Sequence, residues 1–223
     1  MTSAGSPAPP ALPEHLRRPA AVAVGLATVV FALLGTRYAG ESGHGRLDGH
    51  AENLVDSLTS THVWVLQRLS ELGSPPLVVV TAFALCGLCL ALGRRRLAVV
   101  ALVGPGLTGV ATTFLKPAIG RTMEFGGFAY PSGHTGGATS TALVAALLLV
   151  SLVRPGRSTG IALIVTIALV VGGTIGTAMV ATGAHYPTDA VGGFCAAVAF
   201  VLGTALLLEA VAAWWHGRTG PRG

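Results

Sequence analysis

The sequence predicts an all-α, polytopic membrane protein, with six transmembrane helices and an amphipathic helix in the first outer loop. Three observations carry this. Charged residues make up 10% of the chain, against about 25% in an ordinary soluble domain. Mean hydropathy is +0.69. Apolar runs recur at the length that crosses a bilayer, about 20 residues for a hydrocarbon core of about 30 Å. The runs are continuous rather than alternating, which selects helices over barrel strands.

The spans are expected near 19–38, 76–92, 97–115, 135–153, 160–181 and 190–213. They form one membrane domain, 19–215, between a disordered cytoplasmic tail over 1–18 and a short cytoplasmic tail over 216–223. The first run is too long for a cleaved signal peptide, and no small-x-small site before a soluble domain follows it. The longest polar insertion is 40–75. Within it "AENLVDSLTSTHVWVLQRLSELG" spaces Leu54, Val55, Leu58, Val65, Leu66 and Leu69 as one face of a surface helix. "GSPP" at 73–76 ends that helix and starts the second span.

Charge gives the orientation. Arg17, Arg18, Arg94, Arg95, Arg96, Arg154, Arg157, Arg218 and Arg222 fall on one side of six alternating helices. The positive-inside rule makes that side cytoplasmic and places both termini there, in the plasma membrane. The pI near 9.7 is then that of a chain anchored by arginines, and nucleic-acid binding is not needed to explain it. Cys86, Cys89 and Cys195 lie inside apolar runs and read as small packing residues. His44, Asp48, His50, Glu52 and Asp56 match no fixed metal-ligand spacing and read as a solvated outer loop. The Gly-, Ala- and Thr-rich stretches "GPGLTGVATT" and "VGGTIGTAM" read as close helix packing.

Three clusters lie at the outer ends of the spans: "LKPAIGR" at 115–121, "YPSGH" at 130–134 and "GAHYPTD" at 183–189. Lys116 is the only lysine among fourteen basic residues, and a compact point charge suits a phosphate. Arg121 adds a second cation. Pro131 and Gly133 form a turn, Ser132 offers a hydroxyl and an N–H, and the helix starting near His134 presents the positive end of its dipole. His185 and Asp189 are four residues apart, so one helical turn puts them on one face. A carboxylate on one imidazole nitrogen leaves the other free to attack.

These residues resemble the signature motifs of the type 2 phosphatidic acid phosphatase family, over about residues 50–210. The resemblance implies a metal-independent, cofactor-free phosphatase acting on lipid phosphates or polyprenyl (di)phosphates at the extracytoplasmic face. It implies His185 as the nucleophile forming a phosphohistidine, Asp189 orienting it, and His134 protonating the leaving group. Lys116, Arg121, Ser132 and Gly133 would hold the phosphoryl oxygens. The chain departs from the pattern twice. Met123 and Glu124 stand where the first motif has Arg-Pro, and Ala178 and Met179 stand where the third has Ser-Arg. Arg37, Arg46 and Arg68 of the outer loop are candidate substitutes. The alternatives are a phosphotransferase using the same site and a non-catalytic lipid-phosphate binder. The heavy use of Ala, Gly and Arg suits a GC-rich bacterial genome and cell-envelope polyprenyl lipids.

Overall fold

The computed structural model describes residues 9–219. Among them the chain forms eight α-helices: α1 (Glu14–Arg37), α2 (Arg46–Thr59), α3 (Val63–Ser70), α4 (Pro75–Ala91), α5 (Arg95–Ile119), α6 (Gly133–Val153), α7 (Arg157–Ala181) and α8 (Pro187–Thr219). A single 3-10 turn, Glu71–Gly73, joins α3 to α4. Two isolated bridges, Ser42 to Thr122 and Thr122 to Phe128, are the only β pairing among the described residues.

The six expected spans correspond to α1, α4, α5, α6, α7 and α8. Five of these are long and apolar enough to cross a membrane on their own. α4 is shorter, about 26 Å at 1.5 Å per residue. It reaches the required length only when joined to Val63–Gly73, from which it bends by 54°. The bend follows from sequence: Ser74 caps α4 in an extended conformation, and proline occupies the first helical positions, where a missing N–H costs nothing.

α6 is the axis of the bundle. Its most apolar window is 78% buried, against 17% for α1, and it touches α4, α5, α7 and α8. α1 lies outside, against α8 and α7. Its Val22, Leu26, Val29 and Leu33 remain exposed, the pattern of a helix that turns one face to lipid.

Three expectations need correction. The tail expected over 1–18 is folded where it is described. Ala11 and Leu12 are fully buried, α1 begins at Glu14, and the Ala11 N–H donates to Glu209 Oε1 at 2.7 Å. Residues 1–8 lie outside the described residues. At the other end α8 runs through to Thr219, past the expected boundary at 215; residues 220–223 lie outside the description. The single amphipathic helix of the outer loop is two helices. The run Thr59–His62 divides it, with the Ser60 N–H bonded to Asp56 O and the His62 N–H to Thr59 O. Three consecutive hydroxyl residues, Thr59, Ser60 and Thr61, compete locally for backbone bonds and weaken the helix there.

Glu209 ties one end of the bundle together. It is 3% exposed and pairs with Arg17 at 2.9 Å and Arg96 at 3.0 Å, besides Ala11. Glu209→Ala leaves two cations and a backbone donor without their acceptor. We expect a loss of about 1–3 kcal/mol of stability, read as a lower unfolding midpoint in detergent, with Glu209→Gln recovering part of it.

Candidate active site

Lys116, Arg121, Ser132, Gly133, His134, His185 and Asp189 lie together at the other end of the bundle. Lys116 sits in the last turn of α5, which ends at Gly120 in the left-handed conformation, φ 72°. Residues 120–132 then cross over to α6. His185 and Asp189 flank the start of α8, where Pro187 is the first helical residue.

The start of α6 is built by close approach. Ser132 is its N-cap: its Oγ accepts from the Thr135 N–H at 3.4 Å and pairs with Thr135 Oγ1 at 3.1 Å. Its carbonyl accepts from the Gly136 N–H at 3.1 Å, and its own N–H donates to the Asp189 carbonyl at 2.9 Å. A Cβ on Gly193 would sit 2.2 Å from the Ser132 carbonyl oxygen, and one on Gly73 2.5 Å from that of His134. Only glycine lets α8 and the 3-10 turn come so near. Ser132 is fully buried with each of its polar groups engaged, so it holds the helix start rather than offering its hydroxyl or N–H to a ligand. The N–H groups of the first turn that this cap leaves over are those of Gly133 and His134. Both residues are half-exposed.

Arg121 also differs from expectation. It is fully buried. Its Nη1 donates to Asp189 Oδ1 at 2.6 Å and to Thr188 Oγ1 at 2.7 Å, and its Nη2 donates to Asp48 Oδ2 at 2.6 Å. The guanidinium lies between two rings, 4.1 Å from the Tyr38 centroid and 4.5 Å from that of Tyr186. Both Nη atoms are thus committed to protein partners, while the Nε is buried without a hydrogen-bond partner.

Asp48, expected from sequence in a solvated loop, is the site residue that sequence reasoning missed. It is fully buried. Besides Arg121 it accepts from the Thr188 N–H at 2.9 Å and the Thr188 hydroxyl at 3.1 Å. It therefore caps the N-terminus of α8 from another helix. No local pattern marks it, because its partners are 73 and 140 residues away.

Asp189 is fixed on both sides, with Oδ2 accepting from the Tyr186 N–H at 3.0 Å. His185 Nδ1 lies 3.7 Å from the same oxygen, beyond hydrogen-bonding distance. It is buried without a hydrogen-bond partner. His185, Lys116 and Glu71 are all within electrostatic range of His134, and Lys116 is within range of Asp189. Lys116 is half-buried and donates to the Phe128 carbonyl at 3.1 Å. Burial pushes the hydroxyls of Tyr130 and Tyr186 above the ordinary tyrosine range.

Two cavities meet this cluster. An outer one of about 340 Å³ contains His185, with Met123, Glu124, Glu52, Asp56 and His44 in its wall. No lysine or arginine lines it, so Arg37, Arg46 and Arg68 do not replace the missing cations there. Arg37 instead pairs with Glu41 at 2.5 Å. Burial pushes the Glu52 carboxyl up, with His44 opposing and Asp48, Asp56 and Glu124 reinforcing. The other missing arginine position, Met179, is buried against Ala138 and Ile175. Its carbonyl accepts from the His185 N–H at 3.2 Å. The second cavity, about 410 Å³, is a groove between α4, α5 and α6. His134 and Gly133 stand at its head, and Val79, Phe83, Gly106 and Val110 lie along it. Among the described residues no group of His, Cys, Asp and Glu is arranged to hold a metal.

Residues 111–213 match the family model of the PAP2 superfamily. The crystal structure of a transmembrane PAP2-type phosphatidylglycerolphosphate phosphatase from Bacillus subtilis matches the fold with a TM-score of 0.57. The identity is 19%, over 90% of this chain and 98% of that one. No curated protein matches the sequence.

Asp48→Ala strands the Arg121 charge in a buried site and uncaps α8. We expect it to cost about 3–5 kcal/mol, while Asn53→Ala, exposed on the same helix, stays within about 0.5 kcal/mol of wild type. Denaturant unfolding in detergent separates the two.

Proposed function

With residues 111–213 matching the PAP2 superfamily, we propose that the protein is a membrane phosphatase. Its substrate is a lipid phosphate or polyprenyl (di)phosphate, hydrolysed through a phosphohistidine at the extracytoplasmic face of the plasma membrane. The observation that carries this reading is the shared neighbourhood of Lys116, His134 and His185, with His134 heading an apolar groove. A phosphate seated among these three would place its lipid chain in that groove, where burial of each CH₂ is worth about 0.8 kcal/mol.

In this reading His185 attacks phosphorus. Asp189, held by Arg121 and the Tyr186 N–H, stabilises the imidazolium that develops. His134 gives its proton to the leaving alcohol, which departs towards the groove. Water then attacks the phosphohistidine, with His134 now accepting the proton, and inorganic phosphate leaves. Lys116 and the N–H groups of Gly133 and His134 balance the charge on the phosphoryl oxygens, while Arg121, whose two Nη atoms are held by Asp189, Thr188 and Asp48, braces Asp189 from behind. With Arg121 fully buried, the accessible cation beside the histidines is Lys116, and a single such charge favours a phosphomonoester over a diphosphate. Each charge-assisted hydrogen bond missing at a developing charge costs about 2–4 kcal/mol, so turnover should be slow for this chemistry.

The test is phosphate release from a panel of lipid phosphates by detergent-solubilised protein. Wild type should release phosphate, His185→Ala should release none, and a short incubation with labelled substrate should trap label on His185. Equal release by wild type and His185→Ala would overturn the reading. Trapping without an acceptor-dependent product separates hydrolysis from phosphotransfer, and tight binding without any trapping would identify a binder.

The nucleophile must be neutral and the acid protonated, so kcat/KM should rise and then fall across roughly pH 4 to 9. His134→Ala should lose the falling limb on substrates with poor leaving groups; on an aryl phosphate, whose departure needs no proton, it should keep a burst of aryl alcohol release followed by slow turnover, because the attack of water loses its base. Lys116→Ala should lower kcat/KM by about 10²–10³-fold.

A further inference from the structure

At the end of the bundle opposite His134 and His185, a third cavity of about 380 Å³ opens where the N-terminal segment, the α4–α5 junction and the end of α6 converge. Its wall includes Pro10, Pro13, His15, Arg94, Ser151 and Arg154. α6 alone has 21 residues, so about 31 Å separates this cavity from the outer site.

Four arginines at this end divide into two kinds. Arg17 and Arg96 are matched by Glu209. Arg94 and Arg154 line the cavity, and no carboxylate among the described residues stands in its wall. The Arg94 Nε is shut off from solvent and has no hydrogen-bond partner. A buried donor left unpaired costs about 1–3 kcal/mol, so the site is incomplete as it stands. Arg94 is also the N-cap residue of α5, where the helix dipole favours negative charge.

Arg154 supplies the second observation. It ends α6 in the left-handed conformation, φ 51° and ψ 51°, and is the one non-glycine residue with positive φ among the described residues. Helices usually place glycine there, and a side-chain-bearing residue is held in that conformation against its preference. Arg154 is thereby placed, together with Arg94, among the residues that line the cavity.

We propose that this cavity is a binding site for a phosphate-bearing anion, held between the Arg94 and Arg154 guanidinium groups with Ser151 and His15 beside them. Two arginines lining one pocket, each with a planar fork of donors, suit phosphate oxygens. The position at the bundle end fits the headgroup of an anionic phospholipid as well as free phosphate. This assignment does not depend on the reading of the outer site.

The test uses the full chain in a neutral detergent, with ligand-dependent rise of the unfolding midpoint as the readout. The probes are short-chain phosphatidylglycerol, short-chain phosphatidylcholine and inorganic phosphate at matched ionic strength. Phosphatidylglycerol should stabilise wild type and Lys116→Gln alike. Its affinity should fall about tenfold or more in Arg94→Gln and in Arg154→Gln, and phosphatidylcholine should have little effect. A response to inorganic phosphate equal to that of phosphatidylglycerol identifies the free anion, and a response to phosphatidylglycerol alone identifies the lipid headgroup. Both support the proposal. If no anion stabilises wild type, or if the arginine variants respond as wild type does, the proposal is overturned. Loss of the response in Lys116→Gln alone would place the binding at the outer site and overturn it equally. Arg154 is exposed, so its variant decides the matter should Arg94→Gln fail to fold.

Discussion

The buried guanidinium of Arg121 is the constraint on which the outer end of the molecule depends. It joins Asp48 of α2 to Asp189 of α8 from a loop that belongs to neither. A charge enclosed by two tyrosine rings and shut off from water must be met by carboxylates in good geometry, or the fold does not close over it. Once it is met, Asp189 cannot turn, and its carbonyl fixes Ser132 and thereby the start of α6. The positions of both histidines therefore descend from one ion-pair cluster. That cluster has two carboxylates for one guanidinium. Lys116, within range of Asp189, offsets the excess negative charge, which gives the chain's only lysine a part in the site before any ligand arrives.

The other end repeats the device with the signs reversed. There a single buried carboxylate, Glu209, gathers two arginines and a backbone N–H. Between these two polar ends the bundle is held mainly by packing, and small residues decide how near the helices come. The glycines at 73 and 193 matter because a side chain at either would push its element away from the start of α6. The same smallness along α5, at Gly106 and Gly109, leaves the groove below His134 open. Close packing and an apolar groove thus come from one feature of composition.

Much of this was legible in the chain itself. Continuous apolar runs of bilayer length give the six spans, because a backbone in hydrocarbon must satisfy its own hydrogen bonds. The histidines, the lysine and Asp189 stand out, because an ionisable residue at the end of such a run is costly unless it has a purpose. Their gathering follows from helix alternation, which puts the ends of α5, α6 and α8 on one side. What was not legible was which polar groups remain free. Ser132 and Arg121 are of the right type and in the right place, yet the Ser132 N–H is taken by the Asp189 carbonyl and the Arg121 Nη atoms by Asp48, Thr188 and Asp189, all far away in sequence. Asp48 looked like an ordinary surface carboxylate, because nothing in its neighbours signals that Arg121 and Thr188 will close over it.

The division has a physical basis. Hydropathy and helix ends are local properties, set by each residue and the few beside it, so the sequence by itself determined the class of fold, the spans and the residues with chemical capacity. Satisfaction of a polar group is not local. It depends on which groups at separations of 70 to 140 residues arrive within about 3 Å. Only the tertiary structure decided that Arg121 braces Asp189 and Asp48, that the Ser132 N–H is tied to the Asp189 carbonyl, and that Arg94 and Arg154 line an open cavity while Arg17 and Arg96 are paired.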